Sequence, residues 1–339
     1  MRKLLILSLA TLISVSLFAQ KAHKMRKHTM KVASTPVKGT WTRGANFYAG
    51  LTQVGNNNWY TTGSDKFTMT VMSTLDAWVT DTRKKSKWSS GISAAYGLLN
   101  TTHTGVTKLN DRLELGTKFL VTPSNSKNWG LGPRLALRTQ FSNGYFYNYM
   151  GEEGVKRRKS GFFAPAYVTA SIIGANFEPC KHFSVYLSPL TARWVVVTNK
   201  PYSYLAQGGI YKGTVEDPLA RLYNVSPTKQ HRGEFGLLAV AKTNFSIMKN
   251  ISYMGRLELF GNLVNSYSDA LPTRFANIET FMINEVSMHV NRYIRVKYNL
   301  DLLYDDNIKQ PNNNANSLAN RSVGLQLLST LGVGVSFGK

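Results

Sequence analysis

Apolar and polar residues alternate along much of the chain with a period of two. In the stretch from Trp129 to Phe141, Trp129, Leu131, Leu135, Leu137, Thr139 and Phe141 share one parity. Gly130, Gly132, Arg134, Ala136, Arg138 and Gln140 share the other. That period places the two sets on opposite faces of a strand. One such segment would suit a half-buried strand of a soluble sheet, but the pattern recurs. It is present over Trp41–Gln53, Phe67–Asp81, Trp88–Asn100, Asp111–Thr122, Arg232–Phe245, Ile251–Gly261, Ile294–Asp305 and Ser322–Phe337, and weakly over Asn277–Val290. Ala166–Phe177 and Phe183–Thr198 are apolar on both parities, so the pattern does not fix their facing. These segments predict about twelve strands, each near the ~10 residues that a tilted strand needs to cross a bilayer.

The connections between the segments alternate in length. Those at 54–66, 101–110, 142–162, 199–230, 262–276 and 306–321 are long, and those at 82–87, 123–128, 178–182, 246–250 and 291–293 are short. Long external loops and short periplasmic turns characterise outer-membrane barrels, and an even strand number puts both chain ends on the periplasmic side. Strands in hydrocarbon cannot leave edge N–H and C=O groups unpaired, so such a sheet must close on itself. Trp59, Trp88, Trp129, Tyr145, Tyr147, Tyr149, Tyr293 and Tyr304 lie at or near predicted strand ends, where aromatic girdles form.

The amino terminus bears Arg2 and Lys3, an apolar run from Leu4 to Phe18, and Ala19. This is the plan of a secretory signal peptide. Residues 1–19 are therefore expected to be a signal peptide, 20–40 a flexible basic periplasmic lead-in, and 41–339 the barrel. Cys180 is the only cysteine, which excludes an intrachain disulfide. The formal net charge is +23. Much of it lies in the lead-in and in two runs, Lys84–Lys87 and Lys156–Lys159, so it does not read as a nucleic-acid footprint. Basic turns and tails of this kind are usually solvated, with contact to anionic lipid or surface polysaccharide as the alternative.

The face opposite the apolar one carries Arg112, Glu114, Lys118, Arg134, Arg138, Glu234, Lys242, Arg256, Glu258, Glu285, Arg295, Lys297 and Asp301, with Asp76. These are the candidate lumen-facing residues. Charges in a narrow lumen must be paired or hydrated. Pairing of Arg134 and Arg138 with Glu114 or Glu258 would brace the wall, whereas unpaired arginines would line an anion channel.

Catalytic patterns are sparse. Gln140-Phe141-Ser142-Asn143-Gly144 resembles the His-x-Ser-Asn-Gly segment of outer-membrane phospholipase A. Glutamine stands where the base must be and cannot accept the serine proton. His103, His231 or His289 would have to fold beside Ser142 instead. The six histidines have no metal-ligand spacing, and Asp305-Asp306-Asn307 reads better as a polar turn than as a Ca²⁺ loop. Gly130/Gly132 and Gly332/Gly334 read as relief of crowding in a barrel wall.

Several stretches resemble an uncharacterised family of outer-membrane β-barrel proteins found in Bacteroidota. They are Asn58-Trp59, Asp111–Leu115, Arg138–Phe141 with Gly144-Tyr145, Phe163–Tyr167, Leu187–Thr191, Glu258–Phe260 and Tyr304–Asp306, spread between Trp41 and Phe337. The resemblance implies an integral outer-membrane barrel and supplies no catalytic residue and no cofactor. The expected fold is thus all-β, a transmembrane antiparallel up-and-down barrel. The expected role is non-enzymatic, as a narrow channel or a surface or assembly component, with an outer-membrane hydrolase acting on lipid or lipopolysaccharide as the alternative. Expected partners are outer-membrane lipid and lipopolysaccharide, the barrel-assembly machinery, and surface or secretion-system proteins.

Overall fold

The computed structural model describes residues 40–55, 67–83, 85–102, 104–123, 128–147, 156–198, 210–211, 214–215, 219–226, 229–265, 278–291, 293–305, 310–311, 318–319 and 324–338. The expected signal peptide, nearly all of the lead-in, Trp59, Tyr149, His103 and Asp306-Asn307 lie outside them. Twelve long strands dominate: β1 (Thr40–Gly55), β2 (Phe67–Thr82), β3 (Ser86–Thr101), β4 (Gly105–Val121), β5 (Trp129–Thr139) and β6 (Ala166–Cys180). The others are β7 (Phe183–Val196), β8 (His231–Ser246), β9 (Ile251–Asn265), β10 (Ile278–His289), β11 (Ile294–Tyr304) and β12 (Gly324–Gly338). Each pairs antiparallel with its neighbours in sequence, and β12 pairs with β1, which closes the barrel. A hairpin of Gly144–Tyr147 with Lys156–Ser160 and a helical turn at Leu219–Leu222 lie in the longer connections.

The period-two pattern becomes an inside and an outside. On β5, Leu131 and Leu135 are 48% and 49% exposed, as are similar shares of Leu51, Leu187 and Leu331 on other strands. Such a continuous apolar exterior far exceeds what a water-facing surface carries, and hydrocarbon is the phase that it suits. At the short-turn end, Trp41 packs edge-on to Trp88 with centroids 5.6 Å apart, and Trp129 lies 4.5 Å from Phe177. This is a girdle as expected, but Tyr145 and Tyr147 belong to the loop hairpin instead.

Several boundaries differ from the sequence reading, two of them with a visible cause. The connection expected at 101–110 shrinks to residues 102–104, because β4 begins at Gly105. Gly105 sits at φ +64°, a left-handed conformation that lets the chain reverse tightly there. A bulge between Gly97 and Leu98 then keeps the apolar parity in register. At the other boundary, β5 stops at Thr139 because Asp111 takes over the backbone, accepting from the Phe141 and Ser142 N–H groups at 2.7 and 2.9 Å. Gly132 supports the wall by close approach, since a Cβ there would sit 2.1 Å from the Phe119 carbonyl oxygen.

The long-loop mouth is filled. Ala164, Val195, Val197, Leu219, Leu222, Tyr223 and Val225 form one buried apolar cluster, with Phe146 and Tyr167 against it. Val195 pairs with Tyr167 and with Arg232 on the inner face of the wall, so the helical turn at Leu219–Leu222 is seated inside the barrel. Tyr223 fastens it by donating its hydroxyl to the Lys159 carbonyl at 2.5 Å. Burial pushes that phenol up, so it stays a protonated donor throughout the ordinary pH range.

Candidate functional site in the barrel lumen

Contacts between strands that are not neighbours show which side chains point inward. Arg256 on β9 donates to Glu114 on β4 at 2.7 Å, and Arg112 on β4 lies 3.5 Å from Asp301 on β11. Arg134 on β5 reaches Glu258 on β9 at 3.4 Å. None of these strand pairs is adjacent in the sheet, so the bonds cross the interior. Arg112 also approaches Glu114 at 3.7 Å, which makes a four-member cluster near mid-height. Lys297 pairs with Glu285 at 3.0 Å and lies 4.7 Å from the Tyr48 ring.

Not every candidate is paired. Arg138 was expected to meet Glu114 or Glu258. Instead it lies over Phe281 and Tyr167, 4.2 and 5.1 Å from the ring centroids. Ring faces carry the negative lobe of the quadrupole, so the rings hold the guanidinium, with Glu114 its cross-strand partner but no close ion pair among the described residues. Arg138→Gln should therefore cost only about 1–2 kcal/mol, as a lost cation–π contact. A thermal melt of the detergent-solubilised barrel checks this, and a loss above about 3 kcal/mol would indicate a stranded ion-pair partner. Lys118 donates to Asn176 at 2.6 Å, and Arg295 to Ser336 at 3.0 Å. Lys242 makes no ion pair or hydrogen bond among the described residues and is exposed to the lumen.

The most buried cluster includes residues that the sequence reading passed over. Arg193 on β7 pairs with Glu234 on β8 and, at 2.5 Å, with Glu279 on β10. Arg232 also pairs with Glu234, and Asn262 donates to Glu234 at 3.1 Å. Arg193 stacks on Phe260 at 4.1 Å. All lie toward the long-loop end, beneath the apolar plug. Arg193 is the only charged residue within β7, and that isolation was the available signal.

The hydrogen-bond partners of the Ser142 side chain among the described residues include no histidine. Its hydroxyl donates to Asp111 at 3.1 Å and lies 3.2 Å from the Tyr96 hydroxyl. His289 ends β10 at the opposite mouth. Lys108 completes the arrangement, bonding Asp111, Gln140 and the Ser142 carbonyl at 2.8–2.9 Å. The segment from Gln140 to Ser142 is a clasp that ties the loop hairpin to β4.

Among the described residues, the lumen holds cavities, two of which matter here. One, of about 360 Å³, is bounded by Glu114, Lys118, Arg134, Tyr186, Lys242 and Glu258, among others. The second, of about 460 Å³, runs from Arg112 and Asp301 to the short turn at Cys180–His182. Lys242 and Arg256 border both.

Residues 51–145 match the model of a family described as a protein of unknown function (DUF3078). The match runs from the end of β1 into the loop hairpin, whereas the resemblance read from the motifs extends from Trp41 to Phe337. Among solved structures, the chain is similar to an outer membrane channel from Pseudomonas putida F1, at 10% identity and TM-score 0.38. That alignment covers 92% of this chain and 100% of the other. It is also similar to the translocator domain of the autotransporter NalP from Neisseria meningitidis, at 8% identity and TM-score 0.36, covering 97% of each chain. The NanC porin aligns at 12% identity and TM-score 0.32, covering 86% of this chain and 98% of the other. These scores are low, and the barrel assignment stands on the strand pairing alone. None of the curated proteins compared matches the chain significantly.

Proposed function

We propose that the chain is a non-enzymatic integral outer-membrane barrel. In this reading the long-loop mouth is sealed, and a polar vestibule opens at the short-turn end. Both termini then face the periplasm, and the motif resemblance supports a Bacteroidota origin. The observation that carries the reading is the stack of an apolar plug upon ion pairs that span the lumen: Val195 and Leu222 above, Arg193 with Glu234 and Glu279 beneath, and Arg256 with Glu114 at mid-height. Fixed charges braced across a pore leave no continuous water column for ions to follow. Lipid and lipopolysaccharide would contact the apolar exterior and the basic loop hairpin, while the assembly machinery and surface proteins would meet the barrel at its rims.

The test is planar-bilayer recording. The wild-type barrel is expected to give no steady conductance. Steady wild-type currents would contradict the sealed mouth. Hydrolysis of phospholipid or lipopolysaccharide by the pure protein, abolished by Ser142→Ala, would contradict the non-enzymatic reading.

A further inference from the structure

The cavity between β4, β5, β8 and β9 carries a charge arrangement that bracing does not explain. Lys118 is the cross-strand partner of Arg134, and Lys242 is the cross-strand partner of Arg256. Like charges directly opposite on a sheet repel, and both pairs face the same cavity. Five cationic side chains line it against three carboxylates. Two of those carboxylates, Glu114 and Glu258, are already engaged by Arg256 and Arg134. Donors are left over. Arg134 Nη1 and Arg256 Nε are buried and have no acceptor among the described residues, and the Lys242 ammonium has neither an ion pair nor a hydrogen bond there.

We infer that this cavity binds a small organic anion carrying more than one carboxylate or phosphate group. An acceptor seated between Lys118, Arg134, Lys242 and Arg256 would offset both like-charge pairs and satisfy the leftover donors. The volume of about 360 Å³ falls in the range of small-molecule sites. Tyr186 and Trp78 on the lining offer ring surface for the organic part. Access runs through the second cavity, which shares Lys242 and Arg256 and reaches the short turn at Cys180–His182. The ligand thus enters and leaves from the short-turn side, beneath a sealed opposite mouth. The inference rests on the one-ended lumen proposed above.

Titration calorimetry on the folded barrel in non-ionic detergent tests it, with citrate and inorganic pyrophosphate as probes and sucrose as the neutral control. At least one anion should bind saturably, one per barrel, with affinity falling as salt rises. Lys242→Gln should weaken binding by about tenfold or more, the loss of one charged hydrogen bond. Lys242 is exposed and unbonded, so the variant should keep the heat-modifiable gel mobility of a folded barrel. No saturable binding of either anion up to about 10 mM, a concentration reporting affinities far weaker than usual for such sites, would overturn the site. Binding unchanged in both Lys242→Gln and Lys118→Gln would also overturn it. Either result would leave the sealed barrel standing, whereas wild-type conductance would sink that reading whatever the calorimetry showed.

Discussion

Arg193→Met is expected to lower the stability of the folded barrel by about 3–5 kcal/mol, the cost of removing one partner from a buried ion pair. The side chain is 6% exposed, and the Glu234 and Glu279 side chains it bonds are 0% and 8% exposed. Without the guanidinium, the two carboxylates would face each other in the lumen, with Arg232 and Asn262 still bonded to Glu234. The gel-shift temperature in SDS should fall well below that of wild type. Replacing Arg193, Glu234 and Glu279 together by apolar residues should recover most of the loss, because no charge is then left uncompensated. An Arg193→Met variant that melts with wild type would show that the cluster does not hold the wall.

Leu135→Arg should cost about 2–4 kcal/mol if its position is near the bilayer midplane, where arginine on a lipid face is most expensive. Leu135 is central in β5 and half-exposed on the outside. The neighbouring Ala136 lines the lumen cavity, so Ala136→Ser should be nearly neutral. Folding into lipid vesicles, followed by urea titration, measures both. Equal losses would mean that the two residues do not occupy opposite faces.

Ten of the twelve barrel strands were legible in the alternation, one of them weakly, because hydrocarbon outside and charge inside impose opposite demands on successive residues. Legibility failed where hydroxyl and apolar side chains outnumber charges on the lumen face. On β6 and β7 the inward residues include Thr169, Ser171, Ser188, Thr191 and Val195, which pack against one another and the plug. With small hydroxyl residues in place of charges on the inner face, the period faded and Arg193 went unassigned. Glu279 was lost for a related reason, since Phe281 and Ile283 share its inward face on β10. The sequence reading offered Glu258 as a partner of Arg134, which the structure pairs at 3.4 Å, but it offered no partner for Arg112. Arg112 and Asp301 are 189 residues apart, and only closure and stagger of the barrel bring them together. The plug could not be read either, because residues 219–225 have no period to mark them as buried.

A nitroxide scan along β5, from residue 130 to 138, tests the central claim most directly. Each position would be replaced in turn by cysteine, in a Cys180→Ser background, and spin-labelled in lipid vesicles. Accessibility to oxygen, which partitions into hydrocarbon, should peak at 131, 135 and 137 and fall at 130, 134, 136 and 138. Accessibility to a polar nickel chelate should stay low at the oxygen maxima. Position 133 should follow the outward, odd-numbered positions, because the register shift between Gly132 and Arg134 places its extra residue on the neighbouring β6. A uniform profile, or oxygen maxima at the arginine positions, would contradict a barrel with lipid outside and a polar, braced lumen within.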